Sequence, residues 1–216
     1  MITISGIKYQ RELEKLPYFN KKTASILVGK SDWNLDKKIE QLRKKGYLIN
    51  LKKGLYVTAN YLNSQTDKSA YCQYIANFLC YPSYLSLEYV LSETNLIPQA
   101  VYIWTNVTNK TSREYKNSLG LFSYRNVKKS LFTGFIKKRV GKFRIVVASP
   151  AKALFDYLYL KRNLGADLKL EIREGLRINW LNFCQSDLRE LAGYVYLSQS
   201  KKMEKMLKII ENIKKK

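Results

Sequence analysis

The chain has 216 residues and a formal net charge of +22, with 46% hydrophobic residues and only four prolines. This composition predicts a folded protein with a sizeable core and argues against an intrinsically disordered chain. Histidine is absent and the three cysteines show no CxxC spacing, which disfavours zinc sites, disulfide frameworks and histidine-dependent catalysis. Since no apolar stretch is long enough to span a membrane and residues 1–10 lack the apolar core of a signal peptide, we expect a cytoplasmic protein.

The positive charge is unevenly distributed along the sequence. Residues 1–60 carry a net charge of +8, residues 61–100 carry −2, residues 101–150 carry +10 and residues 151–216 carry +6. Two basic blocks separated by a slightly acidic one indicate surfaces that attract polyanions such as nucleic acids. A lysine-rich composition without functional meaning is the alternative. An anionic membrane is disfavoured, because the lysines do not lie opposite one apolar helical face.

The first 60 residues have the pattern of three helices followed by a β-hairpin. Asn20 is a suitable N-cap and Gly29 a suitable C-cap for the second helix, and Leu35, Ile39 and Leu42 form an apolar stripe on the third. The pattern predicts helices over residues 7–16, 21–28 and about 32–45, and strands over residues 47–51 and 55–57. Two helices joined by a short turn and followed directly by a hairpin indicate a winged helix-turn-helix, which we predict for residues 1–60.

The outer side of the third helix carries side chains suited to reading bases. With the apolar stripe turned inward, Lys37, Gln41 and Lys44 point outward and are flanked by Asn34 and Lys38. Lysine donates to guanine O6 and N7, while asparagine and glutamine pair with adenine. We therefore predict base contacts from this side of the helix, with Lys44, further along, suited to a phosphate.

Four further lysines are predicted to contact the DNA backbone. Lys21 and Lys22 lie at the start of the second helix, where the helix dipole favours a phosphate. Lys52 and Lys53 lie at the tip of the hairpin, within reach of a neighbouring phosphate or the minor groove. A solvated charged surface is the alternative for all these residues. The coincidence of helix order, turn length and a basic hairpin tip favours DNA binding.

We predict a second domain for residues 61–216, an α+β body with a small antiparallel sheet and C-terminal helices. With the winged helix-turn-helix before it, the whole chain is predicted to belong to the α+β class. Residues 60–67 are polar and predict a linker, and residues 106–119 predict a long loop or an irregular strand connection. Strands are expected over residues 100–105, 121–127, 131–136 and 143–148, and helices over residues 69–79, 86–92, 150–160 and most of 171–216.

The second basic block supplies candidate site residues in this domain. Its cations are Arg113, Lys116, Arg125, Lys128, Lys129, Lys137, Lys138, Arg139, Lys142 and Arg144. They are predicted to form one face of the sheet, which either extends the DNA footprint or binds RNA or a nucleotide. Scattered, individually solvated cations are the alternative.

The sequence contains no recognisable constellation of catalytic residues. A P-loop is not supported, because six residues separate Gly134 from Gly141 and Phe143 replaces the magnesium-binding serine or threonine. The serines have no histidine to activate them, and Asp156 is interpreted as a helix-surface or otherwise buffered polar residue. We therefore expect no enzyme activity, no cofactor and no metal.

Several motifs carry a family resemblance that extends over most of residues 9–205. They are KGY to KGLY at 45–56, YPSYLSLEYVL at 81–91 with NLIP at 95–98, FSYR at 122–125, FTGF at 132–135 and ASPAKALFD at 148–156. In this order they resemble AbiEi, the antitoxin family of the AbiE abortive-infection systems, which are type IV toxin–antitoxin systems. One departure is Ala151, where family members often carry glutamate.

The resemblance implies a repressor that binds inverted repeats in its own promoter through the winged helix. It also implies that the second domain counteracts a co-encoded nucleotidyltransferase toxin without a stable complex, and that the pair aborts phage infection. On the DNA we expect a monomer or weak dimer that binds cooperatively. The alternative is a transcriptional regulator whose second domain binds a ligand or another protein, with no toxin.

Overall fold

The computed structural model describes residues 7–162, 165 and 167–215. Two predictions fall partly outside the described residues. They are the absence of a signal peptide, which concerns residues 1–6, and the end of the last predicted helix at residue 216. The chain is of mixed α and β structure and divides into two units. The first ends at Tyr71 and also includes Lys116–Leu119, so it extends beyond the predicted domain of residues 1–60. The second comprises Cys72–Tyr115 and Gly120–Lys216.

The first unit combines short helices with a three-stranded antiparallel sheet of order β1-β3-β2. Its elements in chain order are α1 (Gln10–Leu13), β1 (Phe19–Asn20), α2 (Lys21–Val28), α3 (Asp32–Lys44), β2 (Leu48–Lys52), β3 (Leu55–Thr58) and α4 (Ala59–Asn63). The predicted second and third helices and the hairpin are confirmed, whereas the first helix is shorter than predicted. Strand β1 is an addition, because two residues are too few to show a strand pattern in the sequence.

The ends of α2 follow from its capping residues. The Asn20 side chain accepts a hydrogen bond from the Thr23 backbone at 2.9 Å, and Gly29 ends the helix with a left-handed φ of 72°. Both capping predictions are confirmed. The Ser25 hydroxyl then donates to the Lys30 carbonyl at 2.8 Å, which fixes the turn between α2 and α3.

The apolar stripe of α3 lies in the core of the first unit. Leu35, Ile39 and Leu42 are each at most 5% exposed. They belong to a cluster of buried side chains that also includes Leu13, Phe19, Ala24, Val28, Tyr47, Leu48 and Tyr56. Burial of this stripe fixes which side of α3 faces solvent.

The polar segment 60–67 is not the linker that its composition predicts. Thr58 caps α4 by accepting a hydrogen bond from the Tyr61 backbone, and Tyr61 and Leu62 are buried. The Tyr61 ring packs on Tyr71 with 5.8 Å between ring centroids. Only the outer side of this short helix is polar, and that side dominates the sequence pattern.

Glu14 joins three parts of the first unit through its carboxylate. The Gln10 amide, the Tyr47 hydroxyl and the Asn60 amide all donate to Glu14 Oε1, at 2.8, 2.7 and 3.0 Å. Partial burial raises the pKa of Glu14, but these hydrogen bonds outweigh burial and hold the pKa below its ordinary value of 4.5.

Glu14→Gln is expected to lower the free energy of unfolding by about 1 kcal/mol at neutral pH. Hydrogen bonds to a charged carboxylate are stronger than hydrogen bonds to a neutral amide oxygen. The ionised carboxylate contributes fully above pH 4.5 and loses its contribution as the pH falls through the lower folded pKa. Urea denaturation should therefore show the difference between Glu14→Gln and wild type shrinking below pH 4.5. The exposed neighbour Glu12→Gln is the control, and a difference that persists in acid would contradict this role.

The second unit contains a mixed six-stranded sheet with helices on both sides. Its elements are the larger part of α5 (Lys68–Leu79), β4 (Ser83–Leu85), α6 (Leu87–Glu93), β5 (Trp104–Thr108), β6 (Arg113–Asn117, partly), β7 (Gly120–Asn126), β8 (Phe135–Val140), β9 (Phe143–Ala148), α7 (Pro150–Leu160), α8 (Leu168–Leu170), α9 (Gln185–Ser198) and α10 (Lys201–Lys214). Shorter turns of helix occur at Lys129–Leu131, Glu171–Gly175 and Trp180–Asn182.

The strand order is β6-β7-β5-β4-β9-β8. Strand β4 runs parallel to β9, and β5 runs parallel to β7, whereas β4 with β5 and β8 with β9 are antiparallel. The sheet is thus larger than predicted and not purely antiparallel, since strands distant in the sequence become neighbours. The segment predicted as a loop or irregular strand connection contains the end of β5 and all of β6.

Helices α5 and α7 contact opposite sides of this sheet. On one side, Tyr124 Oη donates to the Ala76 carbonyl at 2.6 Å, and the Asn77 side chain bonds both backbone groups of Val146. On the other side, the Tyr84 hydroxyl donates to Asp156 of α7. Pro150 and the capping Ser149 begin α7 as predicted. Within the described ranges, no helix has the length and apolar character needed to cross a membrane.

Candidate nucleic-acid interface

The outer side of α3 presents most of the residues predicted to contact DNA to solvent. Asn34, Lys37, Gln41 and Lys44 are exposed, and Lys38 is half-buried. They recur at helical spacing, so they lie along one side of α3 while the apolar stripe is buried. The helix therefore offers a row of hydrogen-bond donors with one buried side to hold it in place.

Two acidic residues of α3 are engaged in ion pairs, which leaves the outer row positive. Asp36 pairs with Lys21 of α2 at 2.5 Å, and Glu40 pairs with Arg43 at 2.8 Å. Both pairs involve residues outside the row that contains Lys37 and Gln41. The row itself consists of cations and amides, and the half-exposed carboxylates beside it are each held by a cation of the protein.

The predicted phosphate contact by Lys21 competes with a contact inside the protein. A hydrogen bond with Asp36 raises the pKa of Lys21 and ties the start of α2 to α3. Lys22 stays exposed at the same helix end. Of the two predicted lysines, Lys22 is therefore the better placed to reach a phosphate, because Lys21 is paired with Asp36.

Trp33 is an exposed aromatic residue beside the row. Its side chain is 69% exposed, and Lys37 Nζ lies 4.9 Å from its ring centroid. This exposure does not fit packing of the Trp33 ring between α2 and α3. The ring can stack on a sugar or base while its cation–π contact orients Lys37.

The hairpin tip carries the remaining predicted contacts of the first unit. Lys53 is exposed, Lys52 is half-buried, and Gly54 completes the turn with a φ of 76°. The pairing of β2 with β3 shifts register between Asn50 and Lys52, which marks a bulge beside the tip. Lys53 is the cation at this tip that is free to approach a ligand from solvent.

The second basic block does not form one continuous face of the sheet. Three strands separate β7, which carries Arg125, from β8, a distance of about 19 Å at roughly 4.8 Å per strand. Exposed cations occur at both ends of the strand order and in the connection between β7 and β8: Arg113, Lys116, Arg125, Lys128, Lys129, Lys137, Lys138, Arg139, Lys142 and Arg144. The structure thus separates Arg113 and Arg125 from the cations of β8 and β9, and Lys116 belongs to the first unit.

Strand β8 lies at an edge of the sheet and is basic along its centre. Lys137, Lys138 and Arg139 are all exposed, and Arg139 Nε donates to the Gly141 carbonyl at 3.1 Å. Consecutive residues of a strand point to opposite sides, so these cations face both sides of the sheet. Their charges also disfavour pairing of this edge with a strand of another chain.

The second unit also contains a buried ion pair that the sequence interpretation missed. Lys152 and Asp156 are both fully buried, with Lys152 Nζ 2.6 Å from Asp156 Oδ1. The Tyr84 and Ser86 hydroxyls donate to Asp156 Oδ2 at 2.9 and 2.8 Å, and Lys152 also donates to the Leu131 carbonyl at 2.9 Å. Asp156 is therefore not a helix-surface residue.

Burial opposes the charge on both partners of this pair. It raises the pKa of Asp156 and lowers that of Lys152, while their mutual attraction and hydrogen bonds act in the opposite sense. The Lys152 ammonium also lies 4.7 Å from the Phe155 ring centroid and 5.3 Å from that of Tyr194. A group enclosed in this way cannot meet a substrate, so we assign the pair a structural role.

In the described part of the chain, no group of three or more acidic or cysteine side chains is arranged to hold a metal ion. No family model matches this chain, and no curated protein matches it.

Proposed function

We propose that the first unit is a winged helix-turn-helix that binds double-stranded DNA, with α3 as the recognition helix. The observation that carries this proposal is the exposed row of Asn34, Lys37, Gln41 and Lys44, opposite a buried apolar stripe. Such a helix enters the major groove with its outer side against the base edges, where lysine and amide side chains make specific contacts.

The neighbouring elements support this assignment. A three-residue turn separates α2 from α3, and the β2–β3 hairpin follows α3 directly with an exposed lysine at its tip. In a winged helix-turn-helix the first helix of the pair and the hairpin contact the DNA backbone beside the recognition helix. Lys22 and Lys53 are the residues we assign to those phosphate contacts.

The motif resemblance to AbiEi extends the proposal to a biological role. The protein represses its own operon by binding inverted repeats in the promoter, as a monomer or weak dimer that binds cooperatively. It also counteracts a nucleotidyltransferase toxin encoded beside it, without a stable complex with that toxin. The protein acts in the cytoplasm and is not an enzyme.

A reporter assay with the neighbouring toxin tests both parts of this role. The protein should repress a reporter driven by the DNA upstream of its gene, and it should restore growth when the toxin is expressed. Repression without rescue would favour the regulator that has no toxin partner. A reporter that stays fully active in the presence of folded protein would contradict the repressor assignment.

A further inference from the structure

The second unit contains a cavity that the proposed DNA contacts do not use. Its volume is about 800 Å³, within the range of cavities that bind small molecules. Thr105 and Ser123, which are register partners on the parallel strands β5 and β7, line it together with Arg125, two residues further along β7. These three side chains share one side of the sheet, because residues two apart on a strand point the same way.

Cations lie around this cavity. Arg125 lines it and is exposed, and within the described part of the chain its guanidinium makes no hydrogen bond or ion pair. Lys161 and Arg162, which follow the end of α7, also line it. Lys161 forms a 3.7 Å ion pair with Glu171, which is longer than a hydrogen bond. Arginine and lysine in such a group suit a phosphate, which accepts several charge-assisted hydrogen bonds.

The rest of the lining is aromatic, apolar and acidic. Tyr157 of α7 presents its ring beside Lys161, whose Nζ lies 5.5 Å from the ring centroid, and Tyr102 is 87% exposed. Glu88 and Glu114 add two carboxylates to a cavity that otherwise favours anions. A carboxylate in this setting accepts hydrogen bonds from amino or hydroxyl groups of a ligand.

We propose that this cavity binds a nucleoside phosphate. Arg125, Lys161 and Arg162 contact the phosphate, the Tyr157 ring packs against the base, and the carboxylates accept hydrogen bonds from the base or the ribose. An inorganic anion would leave the ring and the carboxylates without a role, and an apolar ligand would leave the cations unpaired. The assignment uses residues of the second unit alone and is independent of DNA binding by α3.

Isothermal titration calorimetry on the full chain tests this site with ATP, CTP and tripolyphosphate as probes. Arg125→Gln should weaken ATP binding about tenfold or more, the scale of a lost hydrogen bond between charged groups. Arg144→Gln is the matched control, since it removes the same charge from an exposed position on β9 and should leave the affinity unchanged. Tyr157→Leu should weaken ATP about fivefold and leave tripolyphosphate binding unchanged.

Three results would overturn the proposal. Absence of measurable ATP and CTP binding by the wild-type chain would exclude the site. Equal weakening by Arg125→Gln and Arg144→Gln would show a general attraction of anions to a chain of charge +22. Equal affinity for tripolyphosphate and ATP, with no effect of Tyr157→Leu, would show that no nucleoside is recognised.

Discussion

Asp156→Ala is expected to lower the free energy of unfolding by about 3–5 kcal/mol, because it leaves the Lys152 ammonium buried without its counter-ion. The two side chains are fully buried and 2.6 Å apart, so the remaining ammonium stays out of contact with bulk solvent. The Tyr84 and Ser86 hydroxyls lose their acceptor in the same variant. Urea denaturation monitored by circular dichroism measures the loss.

Two control variants distinguish the effect of an unpaired buried charge from the effect of lost side-chain packing. Lys152→Met/Asp156→Ala removes both charges and should be more stable than Asp156→Ala alone. Glu171→Ala breaks the partly exposed pair with Lys161 and should cost less than about 1 kcal/mol. If the double variant is less stable than Asp156→Ala, an unpaired Lys152 ammonium is not the cause of the lost stability.

The double variant Lys37→Ala/Gln41→Ala is expected to lose specific DNA binding without losing stability. Both side chains are exposed on α3, so their removal leaves the buried stripe of Leu35, Ile39 and Leu42 unchanged. Each good base contact contributes about 1–3 kcal/mol of discrimination, so two contacts predict a loss of at least about thirtyfold. Fluorescence anisotropy on the operator duplex measures the change.

Lys68→Ala is the control for this variant, because it removes one positive charge from an exposed position outside α3. It should reduce affinity for operator and shuffled duplexes alike, and only slightly. If the double variant binds the operator as tightly as wild type and unfolds at the same temperature, α3 is not the recognition helix.

Local signals make the first unit predictable in outline. Asn20, Gly29 and the stripe on α3 each act within a few residues of chain, so the bounds of α2 and α3 follow closely from the sequence. The same stripe determines which side of α3 faces solvent, and so the amino-acid pattern alone places Lys37 and Gln41 on the outer side. The Lys21–Asp36 pair is not predictable in this way, because it depends on the angle between two helices.

Non-local contacts explain most of what the sequence does not predict in the second unit. The parallel pairing of β5 with β7 and of β4 with β9 joins residues far apart in the chain, and it separates Arg125 from Lys137. A lysine and an aspartate four residues apart usually form a surface pair on a helix. The signal that could have identified the buried pair is the apolar surroundings of Lys152 and Asp156, since a helix that is apolar on all sides is buried.

Sequence-specific DNA binding by α3 is tested by fluorescence anisotropy with the DNA upstream of the gene and a shuffled duplex of equal length, over a series of salt concentrations. If α3 reads an operator, the upstream duplex binds more tightly than the shuffled one, and the preference persists as salt weakens both. Equal affinities with the same steep salt dependence would mean that the charge of +22 attracts any polyanion. That result would contradict the proposed repressor.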